Sequence, residues 1–421
     1  MATLLVGARQ VVTCRGPARA RRGPEMADLE VLDKDPAVLI DDNGYVADVG
    51  RRSDLEIPGE CSEVEVDGVL FPGFVDSHTH SVFGAARLAD HERRARGTDY
   101  MAIAAEGGGI LSSVQSVRET SKEDLKDLTT RRLNVLATLG STTVEVKSGY
   151  GLSLEAELKQ LEVIDEVSGS APDIIPTFLG AHEVPAEHRE RPDEYVDLVV
   201  NEMMPVVGQK GLARFCDVFC EPGVFTVDQS RRVLEGARKC GLMLKIHADE
   251  LDGSGGAELA VELGAVSADH LAAISPGGIE AISQSDTVAV FLPGTMLFLG
   301  KSCVAPARQI IAAGGAVALA TDFNPGSSPG MSLPLMGAMG VSQLRMLPAE
   351  AVVAITVNGA AAVGEAATRG QIAAGFRADL TLASVRDWRE LVYWYGVNLV
   401  SRSWVKGSPC HSGYGSVNYL S

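Results

Sequence analysis

The chain is poor in aromatic residues, with 5% Phe, Trp and Tyr among 46% hydrophobic residues. A core of any size must therefore be built from Val, Leu, Ile and Ala. Cations are also scarce: 37 Lys and Arg face 55 Asp and Glu, giving a net charge of −18. That balance excludes a nucleic-acid-binding surface, which needs clustered positive charge to displace counterions. The seven cysteines are odd in number and scattered, which argues against a disulfide framework. Cys216 and Cys220 lie four apart with no second pair at finger spacing, so most of the cysteines read as buried, reduced thiols. No apolar run is long enough to span a bilayer, so no membrane partner is expected. The first residues are too short and uncharged a stretch for a secretory signal, so a cytoplasmic location is expected. The Arg-rich segment 15–22 reads as a solvated loop ahead of the acidic stretch Glu25 to Asp35.

Against these absences stands Gly73-Phe74-Val75-Asp76-Ser77-His78-Thr79-His80. In an extended strand, residues two apart project from the same face, so both imidazoles can meet one ion. Imidazole suits zinc and iron, and the spacing leaves the metal open. Three later segments end apolar runs in the same way: Lys245-Ile246-His247-Ala248-Asp249-Glu250, Ala268-Asp269-His270 and Ala320-Thr321-Asp322-Phe323-Asn324-Pro325.

The periodicity places these motifs. Eight strands are predicted between apolar and helical stretches, at 73–78, 142–146, 174–179, 215–219, 242–247, 265–269, 288–292 and 316–320. Amphipathic helices are predicted at 154–167, 228–240, 257–262 and 305–313. Repeated βα units favour parallel strands, and eight of them suggest an α/β fold of the TIM-type (β/α)8 barrel class. Its chemistry belongs at the C-terminal strand ends, where every motif falls. An open doubly wound sheet would not gather His78, His247, His270 and Asp322 around one point. Short β-like pieces flank this centre, at 3–6, 10–14, 37–40, 45–49 and 64–70, and again at 370–372, 379–383 and 399–405. Asp41-Asp42-Asn43-Gly44 reads as a hairpin turn.

The four metal-motif segments, in this order, resemble the amidohydrolase superfamily of metal-dependent hydrolases. Further matches, at Lys147-Ser148-Gly149-Tyr150-Gly151-Leu152, Gly180-Ala181-His182, Phe219-Cys220-Glu221-Pro222-Gly223-Val224-Phe225 and Asp322-Phe323-Asn324-Pro325-Gly326, resemble its histidine-degrading branch. The resemblance spans about Phe71 to Gly375. It implies that both chain ends pair into one small β-sandwich, residues 1–70 plus 371–421, around a barrel at 71–370. It implies a metal set of His78, His80, His247 and Asp322, holding one divalent metal per chain, Zn2+ or Fe2+/Fe3+. Binuclear members use a lysine in the strand that here ends Asp217-Val218-Phe219-Cys220-Glu221, which has none; hence one ion.

The same resemblance gives His270, Glu250 and Asp322 the proton transfers of a hydrolase acting on a cyclic amide. The implied substrate is the small molecule 4-imidazolone-5-propanoate, opened to N-formimino-L-glutamate. Arg87, Tyr150, His182, Glu250, Asn324, Gly326 and Ser327 match the substrate positions. The Gly107-Gly108-Gly109-Ile110 run reads as a flexible loop near the pocket mouth. A homodimer is implied as well. Two alternatives share the fold: another amidohydrolase such as a nucleobase deaminase, and a non-catalytic barrel scaffold.

Overall fold

Small β-branched and aliphatic runs separated by turn residues open the chain, and each becomes a strand. In the computed structural model, which describes residues 1–98, 102–103, 107–169, 172–300 and 305–412, these are β1 (Ala2–Val6), β2 (Gln10–Val12), β3 (Val31–Leu32), β4 (Pro36–Ile40), β5 (Val46–Arg51) and β6 (Cys61–Glu65). After β7 (Val69–Pro72) come β8 (Phe74–Asp76), β9 (Ser141–Lys147), β10 (Asp173–Ala181), β11 (Phe215–Cys220), β12 (Met243–Ala248), β13 (Ser267–His270), β14 (Val288–Phe291) and β15 (Val317–Leu319). The last are β16 (Leu380–Ala383), β17 (Val400–Val405) and β18 (Ser408–Ser412).

Strands β8 to β15 form one eight-stranded sheet in sequence order, every pairing parallel. All eight predicted barrel strands are present. The sheet closes on itself beyond β15: the Asp322 N–H donates to the His78 carbonyl at 3.0 Å, and the His80 N–H to the Phe323 carbonyl at 2.8 Å. These strands are buried on both faces, as a parallel sheet covered by helices must be. Helix 154–167 shows how the cover is made. Ser153 caps its N-terminus, accepting from the Ala156 N–H, and Leu161, Ile164 and Val167 turn inward.

The chain ends build two further sheets, ordered β5-β4-β1-β6 and β18-β17-β16-β7-β2-β3. Leu5, Val38 and Val49 from the first share one core with Val11, Leu70, Leu380 and Trp404 from the second. The small sandwich thus draws on both termini. The turn at 41–44 closes β4 onto β5, with the Asp41 carboxylate accepting from the Asn43 and Tyr45 N–H groups. Gly44 has φ +82°, and a Cβ there would meet the Lys406 carbonyl oxygen at 2.1 Å.

Four expectations are corrected. The piece 64–70 is two elements, because the chain leaves one sheet at Glu65 and enters the other at Val69. Residues 370–372 form no strand: Ile372 instead plugs the sandwich core, donating its N–H to the Thr13 carbonyl. The segment 15–22 is not simply solvated. Arg21 is buried, donating to the Cys14 and Pro17 carbonyls, and Arg22 reaches the Ser283 and Gly314 carbonyls. Three of the six described cysteines, Cys14, Cys216 and Cys220, are buried, while Cys61, Cys240 and Cys410 are half-exposed; Cys303 lies outside the described residues. Among the described residues no helix is long and apolar enough to cross a membrane.

Candidate metal centre and substrate pocket

His78 and His80 follow β8, His247 lies in β12, and Asp322 follows β15, so three strand ends converge on one point. His80 Nε2 lies 3.2 Å from His78 Nε2 and 3.4 Å from His247 Nε2. Asp322 Oδ1 is 3.5 Å from His80 Nε2 and 3.6 Å from His78 Nε2. All four residues are buried. Burial foremost, together with the Lys147 ammonium, holds His78 well below the usual histidine range, and burial with neighbouring His182 does the same for His80. Both are then neutral imidazoles whose lone pairs face each other. Such an arrangement is repulsive unless a cation sits among them, and neutral nitrogens with one carboxylate are the donors a divalent ion takes. The residues present fit a metal.

The groups behind the imidazoles complete this. The Asp269 carboxylate lies 2.6 Å from His78 Nδ1, and Asp217 Oδ2 lies 3.0 Å from His247 Nδ1. A carboxylate at Nδ1 fixes the proton there and leaves Nε2 free to face the centre. Lys147 bridges Glu145 at 2.6 Å and Asp217 at 2.8 Å, fully buried. Lys245 donates to Ser267 Oγ at 2.7 Å, and Ser267 Oγ donates to Asp269 at 2.6 Å. Burial raises Asp217, but His247 and Lys147 outweigh it and leave its carboxyl well below the usual range. The sequence reading missed these partners. The available signal was position: Asp217 and Asp269 sit on strands whose inward residues alternate with core positions. Lys147 is spent on this network, in keeping with a site without a bridging lysine.

His270 is the last residue of β13, with φ +79°, and Asp249 and Asp322 are also left-handed, at +50° and +51°. Non-glycine residues held this way cost energy that surrounding structure must supply, and these three stand at strand ends around the reactive point. His270 Nδ1 lies 3.5 Å from Glu250 Oε2, and the His270 ring is 5.1 Å from that of His247. His270 also lies within ligand reach of His78 and His247, as does His182 of His80 and His247. Burial pushes Asp322 up to about 7, opposed by the Thr295 hydroxyl, which donates to Oδ2 at 2.6 Å.

Beside this centre opens a cavity of about 140 Å³, lined by Tyr150, His182, Glu250, His270, Asn324 and Ser327 among others, with Ile110, which ends the glycine run, also in the lining. His182 stacks on His80 at 5.0 Å and gives its Nδ1–H to the Gly149 carbonyl at 3.0 Å, so its Nε2 is an acceptor. Gly149 has φ +108° and leaves only 3.0 Å between an added Cβ and the His182 ring, so the loop carrying Tyr150 can lie this close only with glycine. Arg87 is buried, not a solvated helix charge, and its Nε is buried without a hydrogen-bond partner. Its guanidinium lies flat on Gly326, where a Cβ would be 1.7 Å from Nη2. Asn324 is a turn former as well as a wall: its Oδ1 accepts from the Gly326 and Ser327 N–H groups, both at 2.8 Å.

Comparison with known proteins places this geometry. The amidohydrolase family model matches residues 69–397. An imidazolonepropionase of Solibacter usitatus (strain Ellin6076) is 43% identical over 396 residues, covering 93% of this chain and 94% of that one. One from Parabacteroides distasonis is 46% identical over 402 residues, covering 94% and 96%. Among solved structures, a triazine hydrolase variant superimposes with TM-score 0.74 at 17% identity, covering 97% and 94%. A zinc-bound adenosine deaminase from Xanthomonas campestris gives 0.68 at 18%, covering 97% and 92%. At those identities the two structures speak to the fold.

Proposed function

The chain belongs to the amidohydrolase family, alongside its imidazolonepropionases, and from that premise we propose that it hydrolyses 4-imidazolone-5-propanoate to N-formimino-L-glutamate. The observation that carries the proposal is similarity above 40% over nine-tenths of the chain to relatives of that name. His78, His80, His247 and Asp322 would hold one divalent ion, zinc or iron. When bound, that ion would supply a Lewis acid that lowers the pKa of water.

The protein's own groups do the rest. Water adds to the carbonyl carbon of the ring amide, and the bond from that carbon to the ring nitrogen breaks. The His270 imidazole, with Glu250 Oε2 at 3.5 Å, takes the proton from the attacking water. His270 passes that proton across the contact to the Glu250 carboxylate, which delivers it to the departing nitrogen, and Asp322 is a second acceptor. Arg87 brings a buried guanidinium whose Nε lacks a partner, a fit for the propanoate tail through paired, charge-assisted hydrogen bonds. Tyr150 and His182 close the wall against the ring, while Asn324, Gly326 and Ser327 shape the end that receives the opened product. We place the enzyme in the cytoplasm as a homodimer, an assembly that light scattering on the purified chain tests.

The test of function is turnover of freshly generated 4-imidazolone-5-propanoate, with elemental analysis of the same sample. Formation of N-formimino-L-glutamate by protein holding one metal per chain is expected. Ammonia release from guanine or adenine, with no turnover of the imidazolone, would make the chain a deaminase instead.

A further inference from the structure

The segment Phe219-Cys220-Glu221-Pro222-Gly223-Val224-Phe225 supplies wall residues to the pocket, yet its one charged side chain does not line it. Glu221 is 1% exposed and points at the neighbouring strand end. Its carboxylate accepts three consecutive backbone N–H groups: Glu250 at 3.0 Å, Leu251 at 3.2 Å and Asp252 at 2.7 Å. Those residues form no helix or strand. Glu221 itself is fixed from both sides. Cys220 pairs with Ala248 at the end of β12, and the tight turn after it is closed by Val224 N–H to the Glu221 carbonyl at 3.0 Å and Glu221 N–H to the Phe225 carbonyl at 3.1 Å.

We propose that Glu221 is a positioning residue for catalysis, a buried carboxyl group on which the loop carrying Glu250 is hung so that the Glu250 carboxyl meets His270. This rests on the proton-transfer role of Glu250 given above. The physical reason is donor counting. Three adjacent N–H groups need acceptors, and the two carboxylate oxygens supply them; burial pushes Glu221 up to about 7, and the three N–H bonds oppose that rise. Glutamine would turn an NH2 towards at least one of those donors and release part of the loop. Aspartate keeps the carboxyl group but is one methylene shorter, so it cannot reach all three. A misplacement of about 1 Å at Glu250 costs as much as 100-fold in rate.

A double-mutant cycle tests this on the metal-loaded enzyme, using Glu221→Gln, Glu250→Gln and the pair, with Glu221→Asp as the variant that keeps the buried carboxyl group if Glu221→Gln fails to fold. Glu221→Gln should lower kcat by about 10- to 100-fold with metal content unchanged. In the Glu250→Gln background the same change should cost less than about threefold, because the residue it positions is already disabled. A merely structural Glu221 would cost the same factor in both backgrounds, and that result, or an unchanged kcat, overturns the proposal. Hydrogen exchange at the 250–252 amides gives a readout independent of any substrate. Exchange faster by about 10-fold or more in Glu221→Gln supports the hanging loop, and unchanged exchange overturns it. If the wild type fails to turn over the imidazolone while exchange responds as expected, the substrate assignment has failed and the loop's anchor stands.

Discussion

Two clusters of buried charge lie at opposite ends of the same barrel, and they are built differently. At the foot, where β10 begins, Asp173 pairs with Arg369 at 2.9 Å and with Arg377, and both arginines reach Asp379 beside β16. Arg369 also donates to Thr143 Oγ1 at 2.7 Å, tying the barrel to the terminal sheets. There each buried charge faces one of opposite sign supplied by the chain itself. At the mouth the pattern breaks. Lys147 and Lys245 pair with Asp217, Glu145 and Asp269 behind the rings, but in front of them the Nε2 atoms of His78, His80 and His247 crowd together with Asp322 and, among the described residues, with no side-chain cation. A cluster that closes on itself is a clasp. One left open by a cation's worth of charge is a site for a ligand from outside.

The largest effect should come from opening the mouth further. His247→Ala removes one imidazole from the set and is expected to strip the metal, with loss of activity of about 1000-fold or more. Elemental analysis checks it, and two metals per active wild-type chain would break the claim of one ion. His270→Ala should keep the metal and lose about 100- to 10,000-fold in kcat. If metal leaves with activity, His270 belongs to the ligands. Arg87→Ala should lower kcat/KM roughly 30- to 1000-fold, with Arg87→Lys recovering part of the loss. An analogue without the propanoate carboxylate should barely distinguish the two proteins; equal losses on charged and uncharged substrates would show that Arg87 only braces Gly326. At the foot, Arg369→Met should leave kcat/KM of the folded enzyme within about twofold while costing about 1–3 kcal/mol of stability, because it leaves the buried Asp379 and the half-buried Asp173 to share Arg377 alone. Thermal unfolding with parallel activity measurement decides this, and a drop in activity without a drop in stability would erase the contrast between the two ends.

Much of the barrel was legible because its signals are local. An apolar run ending in histidine reports a strand end, and the helix at 154–167 matches its predicted bounds because Ser153 caps it and its inward residues recur at helical spacing. The strand at 64–70 was misjudged for an equally physical reason. Its residues suit a strand throughout, and only pairing partners far away in sequence make the chain change sheets at Asp67 and Gly68.

The chain's sequence alone determined the residue types of the site, their order, and their place at the ends of strands, since period and spacing are properties of neighbouring residues. Closure of the barrel decided what stands behind them. That Asp269 backs His78 from 191 residues away, that Lys147 holds Asp217 across 70, and that Glu221 carries the loop of Glu250 across 29 are matters of strand adjacency. A hydrogen bond or ion pair depends on distance in space, and no local pattern encodes which buried carboxylate will find which imidazole until parallel neighbours are in register.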